Sequence, residues 1–325
     1  MSKRESPETD AAGKEGQSLP PLALIAGPTA SGKSDLAVTL ALQLAERGQR
    51  AAVINADSAQ VYADLSVLSA RPTHAEMKGV EHCLFGTWDG AQACSAADWA
   101  RSAKLEIARL HSEGALPILV GGTGLYIRTL LEGIAPVPEI APAVRADVRA
   151  MTTADAYAAL QVEDPDRADA LNPADTTRIA RALEVVRSTG YPLAHWQQQS
   201  EGGIADAVRL HPALLLPDRA WLYERCDRRF AAMLENGACE EVERLLARNL
   251  DPELPVMRAI GVREVAGLIA GAMSREEALH SGAQATRNYA KRQYTWFRGQ
   301  FPQDWTRIDT SDFNTSDISE ILLHK

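Results

Sequence analysis

The chain has 325 residues, enough to bury a full α/β core and to build a second unit beside it. Hydrophobic residues make up 46% and charged residues 24%, the balance of an ordinary soluble globular protein, and no apolar run reaches membrane-span length. A formal net charge of −9 argues against a uniformly basic nucleic-acid binder, and the four cysteines (Cys83, Cys94, Cys226, Cys239), with no C-x-x-C spacing, read as reduced cytosolic thiols rather than disulfides or zinc ligands.

The first twenty residues mix Lys3, Arg4 and Lys14 with Glu5, Glu8, Asp10 and Glu15 and lack an apolar core. The expectation is a disordered tail over 1–20, neither signal peptide nor anchor. The apolar run Leu22–Ala26 predicts a buried strand. It leads into Gly27-Pro28-Thr29-Ala30-Ser31-Gly32-Lys33-Ser34, which fits G-x-x-x-x-G-K-[ST], the phosphate-cradling P-loop. Behind it Leu36, Leu40 and Leu44 repeat at helical spacing, with Val38 and Leu42 alongside, so the glycines fall on a strand-to-helix turn. There Gly27 and Gly32 let the backbone curl and aim successive N–H groups at an anion, and the helix start adds its positive dipole end. Lys33 supplies a point charge, and the Ser34 hydroxyl can hold Mg²⁺. The motif asks for a polyphosphate or pyrophosphate; it specifies neither ATP nor hydrolysis.

Arg50–Asn55 reads as the second strand and stops at Ala56-Asp57-Ser58-Ala59-Gln60-Val61-Tyr62. A polar stretch, Ala70-Arg71-Pro72-Thr73-His74, follows. Ser95 to Leu110 has helical periodicity, with Ser95 as N-cap and Asp98 in the capping-box position. Leu116–Val120 is a third apolar strand that runs into Gly121-Gly122-Thr123-Gly124. Strand and helix patterns alternate, which predicts a parallel sheet with right-handed crossovers. Composition shifts near Ala135-Pro136-Val137-Pro138; from there to Gly203 the patterns are helical with no clear strand, and Gln197–Gly203 reads as a linker. One helix spans Thr176–Ser188 and is closed by Gly190-Tyr191-Pro192. A strand resumes at Pro212–Pro217. The predicted organisation is an α/β core, 21–135 and 204–325, of P-loop parallel-sheet type, interrupted by a mainly helical insertion over 136–203.

Ligands of open α/β sheets bind beyond the carboxyl ends of the strands. Three such ends should converge on one cleft: the P-loop, Asp57–Gln60 and Gly121–Gly124. Asp57 is a candidate general base or metal-side carboxylate, or else the N-cap of a helix. Thr123 marks either a close approach to ligand or a helix cap. An ATPase or nucleotide kinase usually closes an apolar strand with an Asp; here the strand closes with Gly121-Gly122, which leaves room for a P-loop that receives a leaving pyrophosphate. From Arg258 to Arg298 seven basic residues face three glutamates, a local positive run that either steers an RNA backbone or lies on a solvated helix face.

The stretches 27–34, Asp57–Tyr62, Pro117–Tyr126, Arg178–Val185, Arg258–Glu264, and Ala285–Arg287 with Ala290–Arg298, in this order, resemble the tRNA dimethylallyltransferase (tRNA isopentenyltransferase) family from about Leu22 to Arg298. Leu68-Ser69-Ala70-Arg71-Pro72 and Val80-Glu81-His82-Cys83 depart from the family's usual wording beside the site. The resemblance implies transfer of a dimethylallyl group from dimethylallyl diphosphate to N6 of the adenosine 3′-adjacent to the anticodon, in tRNAs that read codons beginning with U. It implies N6-dimethylallyladenosine and diphosphate as products and Mg²⁺ as cofactor. The expected protein is a cytoplasmic monomer with no membrane association. The alternative from another class is a P-loop small-molecule kinase using ATP; a third reading is a non-catalytic nucleotide-binding switch.

On this reading Asp57, Lys33 and Thr123 are catalytic. Gly27, Thr29, Ala30, Ser31, Gly32, Lys33 and Ser34 hold the diphosphate, with Ser34 on the metal. Arg225 and Arg229 either add diphosphate contacts or are plain surface arginines. Ser58 and Gln60 could read the extruded base. The resemblance places Thr123, Arg145, Thr177, Arg178, Arg181, Arg258, Gly261 and Arg263 at the tRNA, with the helical insertion closing on the anticodon stem-loop.

Overall fold

A computed structural model describes residues 18–309. The predicted tail over 1–17 and the end of the core, 310–325, lie outside the described residues; Ser18–Pro20 are exposed and feed the first strand. In chain order the elements are β1 (Pro21–Ala26), α1 (Lys33–Glu46), β2 (Ala51–Asn55), α2 (His74–Met77), β3 (Glu81–Cys83), α3 (Ala96–Ser112), β4 (Leu116–Gly121), α4 (Gly124–Glu132) and β5 (Gly133–Ile134). There follow α5 (Pro142–Ala150), α6 (Thr153–Glu163), α7 (Pro165–Asp169), α8 (Thr176–Thr189), α9 (Leu193–Gln197) and β6 (Glu201–Gly202). The chain then runs through β7 (Arg209–Leu215), α10 (Arg219–Glu235), α11 (Ala238–Ala247), α12 (Val262–Ile269), α13 (Arg275–Gln300) and β8 (Thr306–Ile308).

Six strands form one sheet in the order β3-β2-β4-β1-β7-β8, and every pairing in it is parallel. Side chains alternate across β1, so Leu22, Leu24 and Ala26 enter one core layer while Ala23 and Ile25 enter the other. The smaller layer packs Leu36, Leu40 and Leu44 of α1 against Val53, Ile118 and Val120. The larger one covers the opposite face with Trp99, Ile107, Tyr126, Leu130 and Phe297. Sheets buried on both faces read as continuous apolar runs, which is why β1 and β4 stand out in the sequence. Pro117 and Pro212 sit where their strands pair on one side only: β1 joins β4 from Ile118, and β8 joins β7 from Ala213.

Three expectations need correction. The resumed strand is Arg209–Leu215, not 212–217. The sheet also gains β3 and β8, three residues each and too short to show a period. The segment read as strandless contains β6, which pairs antiparallel with β5 through Gly133↔Gly202 and Ile134↔Glu201. This ribbon is the stalk of a helical unit with its own apolar cluster, including Val148, Leu160, Ile179 and Leu183. Helix α8 ends on Gly190 in the left-handed region (φ 76°), the turn expected there.

Candidate active site

The P-loop leaves β1 and curls under α10 and α13. Ala30 and Gly32 both take positive φ (62° and 88°), which turns the intervening amides inward. A left-handed alanine is strained by about 1 kcal/mol or more, a cost that collects at ligand-binding loops. Gly27 is required by space: a Cβ there would lie 2.6 Å from the Leu215 carbonyl oxygen of β7. Lys33 is buried and donates to the Pro28 carbonyl at 2.9 Å, so its ammonium folds back over the loop. Burial pulls its pKa down to about 8, the nearby Asp57 charge opposes that, and the Arg229 charge adds to it. Ser31 Oγ is buried and has no hydrogen-bond partner among the described residues. An orphan hydroxyl costs about 1–3 kcal/mol, which an incoming phosphate oxygen would relieve.

Two arginines of α10 face this loop. Arg225 Nε donates to the Ala30 carbonyl at 2.8 Å, its guanidinium stacked 4.6 Å from the Trp221 ring centre. Arg229 Nη1 donates to Thr29 Oγ1 at 3.1 Å, and burial lowers its pKa. The surface-arginine alternative for both is therefore excluded. From α13, Gln293 accepts from Thr29 N–H at 2.8 Å and donates to the Gly122 carbonyl at 2.7 Å, tying the P-loop to the end of β4.

Asp57 follows β2. Fully buried Asn55 aims the turn: its Oδ1 accepts from Asp57 N–H at 2.9 Å, and its Nδ2 donates to the Asp57 and Leu84 carbonyls at 3.1 Å. Asp57 Oδ1 accepts from Ala59 N–H at 3.0 Å, an Asx turn with no helix behind it, so the N-cap alternative fails. Thr123 precedes α4 but makes no side-chain cap. Its Oγ1 instead accepts from Ser58 N–H at 2.9 Å and donates to Ser58 Oγ at 3.2 Å, pinning the Asp57 turn to the β4 turn. Gln60 Nε2 donates to the Ser69 and Ala70 carbonyls at 3.0 and 2.9 Å, which commits its amide nitrogen to the segment that departs from the family wording.

Two chambers meet here. One, of about 250 Å³, is polar and is walled by the P-loop from Thr29 to Ser34, by Gln60, and by Arg225 and Arg229. The other, of about 320 Å³, is mostly apolar, with Leu68, Phe230, Met233 and Ile260 among its walls, and Ser58, Tyr289, Arg258 and Arg292 at its polar side. Asp57 lines both chambers, as do Thr29, Ser69, Ala70 and Arg229. Tyr289 had no role in the sequence reading. Burial and the Asp57 charge raise its phenol above the ordinary range, the hydroxyls of Thr123 and Ser58 oppose this, and the Arg292 guanidinium lies 5.7 Å from its ring centre. Gln293 belongs to the 290–298 stretch and Tyr289 falls in the gap just before it; polar side chains on the inward side of a helix were the signal available.

The remaining predicted residues stand apart from the chambers. Gly261 starts α12 at φ 95°, where a Cβ would meet Leu68 at 2.8 Å, and Arg263 is exposed on the same helix. Arg145, Thr177 and Arg178 are exposed on α5 and α8, with Arg178 paired to Asp175 at 2.6 Å. Arg181 is half-buried near Glu184, and burial lowers its pKa. None of these lines either chamber.

Fold and site together define a P-loop α/β protein whose anion cradle opens, across one carboxylate, onto an apolar chamber. A family model described as IPP transferase matches residues 60–300. The tRNA dimethylallyltransferase of Erythrobacter litoralis (strain HTCC2594) is 67% identical over 303 residues, covering 93% of this chain and 96% of that protein. The tRNA dimethylallyltransferase of Novosphingobium aromaticivorans is 64% identical over 278 residues, covering 85% and 99%. Among solved structures, the tRNA isopentenylpyrophosphate transferase of Bacillus halodurans superposes with a TM-score of 0.67 at 31% identity, covering 94% of this chain and 96% of that one. A eukaryotic dimethylallyltransferase acting on tRNA gives a TM-score of 0.76 at 25% identity, covering 93% and 78%. The chain belongs to the IPP transferase family.

Proposed function

We propose that this enzyme transfers the dimethylallyl group of dimethylallyl diphosphate to N6 of the adenosine 3′-adjacent to the anticodon, in tRNAs that read codons beginning with U. One observation carries the reading: Asp57 is a shared wall of the polar and the apolar chamber. The diphosphate occupies the polar chamber, against the loop amides, Lys33, Arg225 and Arg229. The prenyl tail and the extruded base share the apolar one. The bond from the allylic carbon to the diphosphate oxygen breaks as the bond from N6 to that carbon forms. Asp57 takes the N6 proton, and the bonding electrons leave with the diphosphate. An adenine amine is a poor nucleophile, so a base in reach contributes about 10²–10⁴-fold. Buried cations already aimed at the leaving group favour the transition state without reorganising.

Mg²⁺ suits this donor set. Among the described residues no cluster of three or more His, Cys, Asp or Glu could cage a metal, but the Ser34 hydroxyl and the Asp57 carboxylate line the same chamber. A hard cation of this kind takes one or two protein oxygens and completes its shell with phosphate oxygens and water. Bound there by Ser34, it would neutralise charge on the diphosphate. Thr123 and Ser58 hold the Asp57 turn and face the acceptor, with Gln60 fixing the neighbouring wall. Arg258 and Gly261–Arg263 on one side, and Arg145 and Thr177–Arg181 of the helical unit on the other, hold the anticodon stem-loop. On this reading the enzyme acts as a monomer in the cytoplasm.

The kinase alternative is not favoured: β4 closes on Gly121 rather than on a carboxylate. The test is label transfer from radiolabelled dimethylallyl diphosphate to unmodified tRNA with Mg²⁺. Wild type should label the tRNA, and Asp57→Ala should lose at least a hundredfold in kcat while keeping its thermal midpoint. Near-normal turnover by Asp57→Ala would remove Asp57 from the role of base.

A further inference from the structure

Segment 66–71 contributes to the wall that the two chambers share, and a network of hydrogen bonds holds it. Ser69 and Ala70 line both chambers, and Leu68 lines the apolar one. Ala70 itself sits at φ 51°, a conformation that an alanine holds only when its surroundings enforce it. Gln60 fixes the Ser69 and Ala70 carbonyls, Ser69 Oγ donates to the Leu65 carbonyl at 2.8 Å, and Arg71 Nη1 donates to the Tyr62 carbonyl at 3.2 Å.

The first half of the segment is held from outside the site by one residue of α11. Glu241 is 2% exposed, and its carboxylate receives four hydrogen bonds. Oε2 accepts from Ser66 N–H at 2.6 Å, Ser66 Oγ at 2.8 Å and Val67 N–H at 2.8 Å, and Oε1 accepts from Leu68 N–H at 2.9 Å. An ionised carboxylate is acceptor-only, so it can satisfy converging donors that a neutral amide of the same shape cannot. Glu241 touches neither chamber.

We propose that Glu241 is a positioning residue for prenyl transfer: from α11 it sets the placement of the Leu68–Ala70 wall against which the prenyl tail and acceptor base pack. This rests on the transfer reading above. Leu68, whose N–H Glu241 takes directly, lines the apolar chamber and not the polar one, so its placement bears on the organic half of the donor more than on its charged half.

Glu241→Gln keeps the volume but turns one oxygen into an NH₂ group facing N–H donors. The expected result is a KM for dimethylallyl diphosphate raised at least tenfold and a lowered kcat, with the affinity for inorganic pyrophosphate and Mg²⁺, measured calorimetrically, within twofold of wild type. Ser66→Ala removes one donor only and should move the same constants in the same direction by about threefold, which keeps the test open if Glu241→Gln does not fold. Variants with wild-type kinetic constants and only a lower thermal midpoint would overturn the proposal. So would pyrophosphate affinity lost in parallel with KM. Absence of transfer by the wild-type enzyme assayed alongside would instead overturn the transfer reading itself.

Discussion

Lys33 must keep its charge in a place that disfavours it. Burial brings its pKa from the ordinary 10.5 to about 8. Below pH about 8 the folded and unfolded chains both hold this proton, and above about 10.5 neither does. Between those values only the unfolded chain binds it, so the penalty for burying the charge is relieved and the folded state gains stability as pH rises through the window. Anion binding runs the other way, because a diphosphate selects the protonated amine. Pyrophosphate affinity should therefore fall above pH 8, by up to about tenfold per unit, and Lys33→Met should flatten that slope in a calorimetric titration. Tyr289 makes a second prediction at this scale. Tyr289→Phe deletes only the hydroxyl beside Ser58 and Thr123 and should raise KM for tRNA by about three- to tenfold, with KM for dimethylallyl diphosphate unchanged. Steady-state kinetics with each substrate varied in turn would check it. Asp57 was legible from its place after a strand, because strand ends carry ligands in such sheets. Tyr289 was not, because a tyrosine inside a helical pattern reads as core until its neighbours are known.

Helix α13 delivers Gln293, Tyr289 and Arg292, among others, to the site, and its placement depends on glycines in other elements. A Cβ on Gly124, the first residue of α4, would lie 2.1 Å from the Trp296 ring of α13. The indole cannot yield without disturbing its edge-to-face contacts with Phe297 and Phe301 at 5.9 and 5.2 Å. Gly124→Ala should cost about 1–3 kcal/mol, read as a lower urea midpoint, and should weaken transfer by pushing Gln293 off the P-loop. The long elements were readable because they carry a full period: four or five apolar residues in each of β1, β2 and β4, and three leucine turns in α1. Strands β3 and β8 were not, because three residues containing Glu81 and His82, or Thr306 and Arg307, show neither alternation nor an apolar run.

For the whole molecule, charge is the governing quantity. A chain of net charge −9 must bind a polyanion through local basic faces. Arg149 and Arg181 of the helical unit both approach buried Glu184, at 3.1 and 3.9 Å, so one carboxylate holds two guanidiniums on that surface. Transfer to tRNA should lose kcat/KM steeply with added salt, while pyrophosphate binding should depend on it less. Replacing Arg145 and Arg181 together by Ala should raise KM for tRNA several-fold and reduce the salt slope by about one for each phosphate that is no longer neutralised. Pyrophosphate affinity of that variant should match wild type; a parallel loss would place the effect in the core and not at the RNA.

Local sequence by itself determined the strand, P-loop and helix at the amino end, because a hydrophobic period and a glycine turn are properties of neighbouring residues. It also placed Asp57 and Thr123 at strand ends, where the topology of a parallel sheet brings them to one edge. What only the tertiary structure decided is which distant groups complete the cradle. Gln293 reaches Thr29 across 264 residues and Arg229 reaches it across 200. Such pairings leave no local period, since they arise from how α10 and α13 pack over the sheet, and packing is fixed by the assembled core rather than by any one segment of chain.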